Sequence, residues 1–178
     1  MTKYLSNELI TLRAIEPEDI DLLYAWENDP ELWEVSHTLV PYSKYILALY
    51  IKNADRDIYE TKQLRLMIDT REGKTVGAID LFDFEPYHSR VGIGLLIHAQ
   101  EDRSKGFASA ALELIVGYCF QKLNVHQLYA NIQTTNQISL QLFKKQGFNP
   151  CGTKKDWLRT DSGWQDEVML QLIVNDQL

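Results

Sequence analysis

The sequence predicts a single α/β domain that spans residues 1–178. Segments with period-two hydrophobicity alternate with segments at helical spacing, in the order β-αα-ββ-β-α-β-α-β-β. No internal repeat, low-complexity run or linker divides these segments. A chain of 178 residues, 45% of them hydrophobic, is also long enough to bury one sizeable core. These three observations together favour one compact α/β unit.

The composition restricts the function before any motif is considered. The formal charge of −7 and the pI near 5.1 argue against non-specific nucleic-acid binding, which needs a basic surface. They suit a cationic small substrate, although acidity also serves solubility alone. The sequence has no apolar run of membrane-spanning length and no signal-peptide pattern, so we expect no membrane association. Two cysteines without metal-site spacing favour a cytoplasmic protein without a metal.

The first third of the chain is predicted to form one strand and two helices. Glu8–Ile15 alternates well enough for the first strand. A proline and acidic residues in Glu16–Asp19 favour the start of a helix, which Asn28–Pro30 ends. The intervening Glu31–Tyr42 is interpreted as irregular or as a short helical turn. A serine cap predicts the second helix over Ser43–Ala54.

The middle of the chain is predicted to carry the centre of the sheet. Leu64–Asp69 and Thr75–Phe84 form two strands joined by a turn that contains glycine. Arg90–His98 is the next strand, and a helix follows from about Lys105 to Lys122. His126–Gln133 forms another strand, so the strand–helix–strand unit makes a right-handed crossover.

The last segment is predicted to form a short helix and a hairpin. Asn136–Gln146 is the helix, and a glycine in the usual C-terminal position follows it. Cys151–Arg159 and Gln165–Val174 are the two strands of the hairpin. Trp157 and Trp164 near this hairpin are interpreted either as core residues or as dimer contacts, which leaves a homo-oligomer open.

The loop before the long helix is a candidate anion-binding site. The first N–H groups of a helix have no partner within it, and the helix dipole favours negative charge there. Gly106 has no Cβ and lets a ligand approach the backbone closely. Neither a P-loop nor a dinucleotide-binding glycine pattern is present. The segment R-S-K-G-F-A comprises Arg103, Ser104, Lys105, Gly106, Phe107 and Ala108.

A second motif makes this loop more specific. Asn136–Phe148 has the pattern N-x-x-S-x-x-L-F-x-K-x-G-F. Together with R-x-x-G-x-A in the loop, it resembles the GNAT superfamily of acyl-CoA-dependent N-acyltransferases. V-G-x-I-x-L at Val76–Leu81 and L-R-A-I-E-P-E-D at Leu12–Asp19 also fit. Both are typical of the branch with spermidine N-acetyltransferases and ribosomal-protein N-terminal acetyltransferases.

The resemblance implies a fold and a cofactor site. The fold would be a mixed, mostly antiparallel sheet with splayed central strands, flanked by helices. Acetyl-CoA would be the co-substrate, with its pyrophosphate on the loop Arg103–Ala108. The second motif would lie along the pantetheine arm, and the splayed strand would offer backbone groups to its amides. The residues expected to do this are Asn136, Phe143 and Lys145 from the motif and Leu95, Leu96 and Ile97 from the strand.

Two departures from the family pattern concern the proton chemistry. Many members carry a tyrosine, assigned as general acid, where this chain has Phe143. Relatives often have a glutamate near Gly92. The thiolate could leave unprotonated, since a Cys-like thiol has a pKa of roughly 8.5. Asp83 and Glu85, at the end of the preceding strand and in the turn after it, are the candidate bases, and Asp80 on that strand is a further one. Surface or hairpin charge is the alternative.

The acceptor side is predicted from acidic and aromatic residues together. Carboxylates beside indole rings suit a polyamine or an amino terminus; capping acids and core tryptophans are the alternative. The candidates are Trp26, Glu27, Trp33 and Asp80. The sequence thus predicts an acetyl-CoA-dependent N-acetyltransferase in which a primary amine, on a polyamine-like small molecule, attacks the thioester directly. An N-terminal acetyltransferase acting on a protein such as a ribosomal protein, and a CoA-binding module with little catalysis, are the alternatives.

Overall fold

The computed structural model describes residues 4–36 and 38–174, which contain one seven-stranded mixed sheet. The strand order is β1-β2-β3-β4-β5-β7-β6, and every neighbouring pair is antiparallel except β4 and β5. The strands are β1 (Ile10–Ala14), β2 (Leu64–Thr70), β3 (Thr75–Glu85), β4 (Arg90–Ile97), β5 (Gln127–Gln133), β6 (Asn149–Thr160) and β7 (Gly163–Ile173).

Six α-helices accompany the sheet in the described residues. They are α1 (Ile20–Glu27), α2 (Pro30–Ser36), α3 (Lys44–Lys52), α4 (Ile58–Thr61), α5 (Phe107–Gln121) and α6 (Gln137–Lys145). Short 3-10 turns precede α1 and lie between β4 and α5. None of these helices is long and apolar enough to cross a membrane.

Two helices differ from the sequence prediction. Pro30, interpreted as the end of the first helix, is also the first residue of α2. Proline suits that position because its fixed φ matches a helix and its missing N–H is not needed there. The short α4 was not predicted, because a single turn capped by Asp57 carries no periodic pattern. The predicted strands and the other helices are all present.

Two apolar clusters cover opposite faces of the sheet. On β2, Met67 belongs to the cluster with α1 and α3, whereas Leu66 and Ile68 belong to the cluster with α5 and α6. Successive side chains on a strand point to opposite faces, so this alternation places the two helix groups on opposite sides. Trp157 and Trp164 are 57% and 62% exposed, so their interpretation as core residues is wrong. A dimer contact at these two residues stays a prediction.

The central strands splay apart, as expected. β4 and β5 pair only from Arg90 to Gly92, opposite Gln127–Tyr129. From Ile93 onward, β4 keeps its partner β3 but has no ladder with β5. One edge of the second half of β4 therefore faces a V-shaped gap between the two parallel strands.

Phe82 explains why Gly92 stands where the strands separate. A Cβ at Gly92 would lie 2.4 Å from the Phe82 ring, which occupies the space above this residue. The register of β3 and β4 then shifts between Phe82 and Glu85, and Asp83 adopts a left-handed φ of 49°. This bulge redirects the end of β3. A side chain at position 92 would therefore require the Phe82 ring to move.

Arg13 fixes the start of α1 to the sheet. Its Nη1 and Nη2 donate to the carboxylate of Asp19 at 2.7 and 2.8 Å, and its Nε donates to Asp69 at 2.6 Å. Asp19 also accepts the backbone N–H of Glu16 at 2.8 Å. Hydrogen bonding from Arg13 holds the pKa of Asp19 below its ordinary value. The segment L-R-A-I-E-P-E-D thus has a structural explanation.

Replacing Asp19 with asparagine is expected to lower the free energy of unfolding by about 2 kcal/mol at pH 7, since hydrogen bonds to a charged partner are lost. The pKa of Asp19 is lower in the folded protein than its ordinary value of 3.8. Its contribution to the free energy of unfolding is therefore complete above pH 3.8 and is lost as the pH falls through the pKa of the folded state. Denaturant unfolding at pH 7 and pH 3 should therefore show a smaller difference at pH 3. Asp21→Asn, at an exposed acid of the same helix, is the matched control. A difference that does not depend on pH would contradict the ion-pair explanation.

The close contact between β3 and β4 can be tested by a substitution at Gly77. A Cβ there would lie 2.0 Å from the carbonyl oxygen of Leu96, which is backbone and cannot rotate away. Gly77→Ala is expected to destabilise the protein by about 1–3 kcal/mol. Gly117→Ala is the control, because nothing lies within 4 Å of its Cβ position and it is inside α5. Thermal unfolding should show the control unchanged or stabilised, and equal stability of the two variants would refute the contact.

Candidate functional site

The loop between β4 and α5 ends in a helix start without a side-chain cap. Gly106 precedes Phe107, the first residue of α5, with a left-handed φ of 88°. The first hydrogen bond of the helix runs from the N–H of Ala110 to the carbonyl of Gly106, at 3.0 Å. The N–H groups from Phe107 to Ser109 therefore have no partner within the helix. This geometry fits a phosphate group, and glycine is favoured by its φ as well as by its small size.

Arg103 and Lys105, the two predicted cations, both have protein partners. The Arg103 guanidinium donates to the carbonyls of Ile97 and His98, at 3.2 and 2.9 Å. It thereby ties the loop back to the end of β4. Lys105 lies 3.2 Å from Asp102, three residues earlier in the chain. Ser104 lies between the two cations with a left-handed φ of 63°, so side chains and backbone together shape the loop.

The predicted pantetheine strand has one open edge. Leu95, Leu96 and Ile97 pair with β3 on one side, while the other side faces the gap toward β5. An extended ligand with two amides can bind such an edge as an added strand would. The uncapped helix start and the open edge are consecutive in the chain. Together they fit the phosphate and the amide parts of CoA.

The second motif has a packing role at most of its positions. Asn136 caps α6 by accepting the N–H of Ser139 at 3.1 Å. Phe143 is 4% exposed and packs edge-on against Phe148, with 5.1 Å between ring centroids. Lys145 is exposed near the end of α6. The side chain at position 143 therefore lies in the core and carries no polar group.

A cavity of about 490 Å³ lies next to the open edge of β4. Its charged residues come from α1, β2 and β3, and its aromatic residues come from α1, α3, β3 and the segment between α2 and α3. Gly94, Leu95 and Leu96 form the part of its wall that belongs to β4. The cavity thus brings three predicted acceptor residues and two predicted pantetheine residues together. The acceptor residues are Trp26, Glu27 and Asp80, and the pantetheine residues are Leu95 and Leu96; Tyr42, Tyr50, Arg65 and Phe82 also line the cavity.

Arg65 organises the charges of this cavity. It donates to both oxygens of Asp80, at 2.7 and 3.0 Å, and to Glu27 at 2.5 Å. Its guanidinium also lies 5.7 Å from the ring centroid of Tyr50. Burial lowers the pKa of Arg65, but Asp80, Tyr50 and Glu27 together raise it above its ordinary value. One guanidinium and two carboxylates leave a formal charge of −1.

The two predicted tryptophans differ in position. Trp26 is 7% exposed and lines the cavity, and its ring also stacks on His98 with 5.4 Å between centroids. Trp33 donates its indole N–H to the carbonyl of Glu27 at 3.1 Å, which joins α2 to α1. Trp33 is not among the cavity's lining residues. It therefore contacts the acceptor side through the backbone of Glu27.

Asp83 and Glu85 lie in a separate, shallow recess. Glu85 pairs with Arg90 at 2.9 Å, and the hydroxyl of Tyr129 lies 3.5 Å from Asp83. Burial raises the pKa of Tyr129 to about 12. The rings of Phe82 and Tyr129 meet edge to face at 5.7 Å. Because Phe82 lines the cavity and Tyr129 lines the recess, this ring pair stands between them.

Arg65 was not identified from the sequence, although its partner Asp80 was. The two residues are directly opposite in the β2–β3 register, where opposite charges stabilise a sheet. The pairing could have been inferred from alternating patterns once the hairpin register was known. The sequence leaves that register open, because the turn between the strands contains several residues.

Sequence comparison with known proteins shows a family and several relatives. A family model described as an acetyltransferase (GNAT) domain matches residues 10–149. The spermidine N(1)-acetyltransferase of Vibrio cholerae is 24% identical over 174 residues, 97% of each chain. The ribosomal protein uS5-alanine N-acetyltransferase of Escherichia coli is 31% identical over 77 residues, 43% of this chain and 40% of that protein.

A solved structure shows the same fold. The spermidine N-acetyltransferase from Vibrio cholerae, crystallised with CoA and spermine, superimposes with a TM-score of 0.84. The alignment covers 94% of this chain and 96% of that one, at 22% sequence identity. The splayed strands, the uncapped helix start and a family match over most of the chain agree, and the protein belongs to the GNAT family of acetyltransferases.

Proposed function

We propose that this acetyltransferase transfers the acetyl group of acetyl-CoA to a primary amine of a polyamine-like small molecule. The observation that carries the proposal is the cavity beside β4, in which Glu27, Arg65 and Asp80 hold a formal charge of −1. A cationic acceptor is attracted to this charge, and the aromatic walls add cation–π contacts. The relative and the solved structure named for spermidine support a polyamine.

Two parts of the co-substrate have matching groups in the chain. The N–H groups at the start of α5 would hold the pyrophosphate, and Leu95–Ile97 would hold the pantetheine amides along the open edge of β4. Acetyl-CoA supplies the acetyl group as a thioester. Since the gap closes where β4 and β5 begin to pair, the arm ends near Gly92 and Gly94. Neither residue has a side chain that would block the acceptor.

Asp80 is the carboxylate best placed to accept the ammonium proton. It is opposite Gly94 in the β3–β4 register and lines the same cavity. Arg65 fixes its orientation but uses only part of the hydrogen-bonding capacity of its two oxygens. Asp83 and Glu85 stay candidates from the sequence, but they lie in the recess beyond Phe82. We therefore assign the base to Asp80.

The leaving thiolate has no phenol at position 143. Phe143 is buried against Phe148 and cannot donate a proton. A thiol with a pKa of roughly 8.5 leaves readily as the anion near neutral pH. The reaction therefore needs a base for the amine more than an acid for the sulfur.

Transfer to a protein amino terminus is the second candidate function. It is favoured by the partial similarity to a ribosomal-protein alanine N-acetyltransferase, which covers 43% of this chain. An N-terminal ammonium is also cationic, but it is attached to a peptide chain that must extend out of the cavity. A CoA-binding module with little catalysis is the third candidate, and it is suggested by Phe143 and Gly92.

A panel of acceptors separates these three functions. CoA release from acetyl-CoA should be fastest with spermidine or spermine and slower with a peptide that begins with alanine. It should be slowest with a monoamine of similar length that carries no further charge. The reason is that only the polyamines bring further positive charge to the acidic cavity. Faster turnover of the peptide would favour the second function. CoA binding without turnover of any amine would favour the third.

The role of Asp80 is tested by a substitution that keeps its shape. Asp80→Asn should lower kcat by about 100-fold or more, since a positioned base contributes about that much. The KM for acetyl-CoA should stay within a factor of about two, which is under 0.5 kcal/mol, because the loop and the β4 edge are unchanged. Circular dichroism would check that the fold is intact in this variant, in which Arg65 has lost the charge of Asp80. A large loss of kcat in Asp83→Asn and a small one in Asp80→Asn would move the base to the recess.

A further inference from the structure

Asp102 is buried, unlike the charged residues on either side of it in the loop. Its side chain is 4% exposed, whereas Glu101 and Arg103 are exposed. One carboxylate oxygen lies 2.6 Å from Nζ of Lys74, and the other lies 3.2 Å from Nζ of Lys105. A single carboxylate therefore binds two ammonium groups, one from outside the loop and one from within it.

Lys74 comes from a turn that is itself well fixed. It ends the connection between β2 and β3, and its carbonyl accepts the N–H of Thr70 at 2.8 Å. Its own N–H donates to the hydroxyl of Thr70 at 3.3 Å. Thr70 is 8% exposed. The ammonium group is thus presented to the loop by a hydrogen-bonded hairpin of the sheet.

The charges of this group favour an anion nearby. The hydrogen bond from Lys74 lowers the pKa of Asp102, and Asp102 in turn raises the pKa of Lys74. Asp102 is therefore charged at neutral pH, as is Lys74. Two ammonium groups and one carboxylate leave a formal charge of +1 beside the start of α5. The free N–H groups and the dipole of that helix act in the same direction.

We infer that Asp102 and Lys74 are positioning residues for the phosphate-binding loop. The inference rests on the proposed function, because the phosphates belong to CoA. The pair fixes the orientation of Lys105 and holds the loop before the ligand arrives. Without this pair, the loop would still be tied to the end of β4 by the hydrogen bonds from Arg103 to the carbonyls of Ile97 and His98. The loop must then be ordered during binding, and that cost weakens the affinity for CoA.

A comparison of two ligands tests this role. Calorimetric titration would measure the binding of CoA and of acetyl-pantetheine, which lacks the phosphates, to the wild type and to Lys74→Met, Asp102→Asn and the double variant. Each single variant should bind CoA about tenfold more weakly, the effect of one lost charge-assisted hydrogen bond. The double variant should bind no more weakly than the singles, because the two residues act as one unit. Acetyl-pantetheine should bind all four proteins equally.

Two further variants separate positioning from simple charge or stability. Lys122→Met removes the same charge from the opposite end of α5 and should leave CoA affinity unchanged. Lys74→Arg should restore most of the affinity. If Lys74→Met binds CoA as tightly as the wild type, the inference about Asp102 and Lys74 is wrong, while the proposed function stands. The same holds if the affinity of the variant for acetyl-pantetheine falls as much as its affinity for CoA. If the wild type binds no CoA, the proposed function falls as well.

Discussion

The early end of the β4–β5 ladder is the constraint on which the rest of the site depends. Two parallel strands pair for three residues and then separate, although a full ladder would satisfy more backbone groups. The separation leaves one edge of β4 open beside the cavity and directs β4 into the loop that begins α5. The contact of the Phe82 ring with Gly92 lies at the point of separation. The proposed cofactor and acceptor regions therefore meet at one place because the sheet divides there.

The ion cluster around Arg65 is better explained by recognition than by stability. Removing charges from water costs free energy that a partly buried ion pair only roughly recovers. Three charged side chains packed beside Tyr50 would therefore be a poor way to fill a cavity. What the cluster does provide is a fixed excess of one negative charge, held in place by a guanidinium. A cationic acceptor can use that charge without moving the protein.

The sequence predicted β2, β3 and β4 well because each contains a run of buried apolar residues. β6 is exposed along most of its length, and the turn before β7 indicated it instead. The sequence also located the loop at Gly106 and the cap at Asn136, since these depend on neighbours in the chain. It could not predict the partners of Arg65 or Lys74, which are set by the register of β2 with β3 and by the approach of a distant hairpin. The exposed positions of Trp157 and Trp164 likewise depend on what covers the last hairpin.

The proposed base, Asp80, lies on the strand next to the one where relatives often carry a glutamate. Relatives often carry a glutamate on β4 near the position of Gly92, and in this chain the Phe82 ring lies against that glycine. In an antiparallel pair, residues directly opposite each other project to the same face. Asp80 is opposite Gly94, so its carboxylate reaches the surface that a longer side chain on β4 would occupy. An acid on β3 opposite a glycine on β4 can thus place a carboxylate on a face to which β4 itself contributes none.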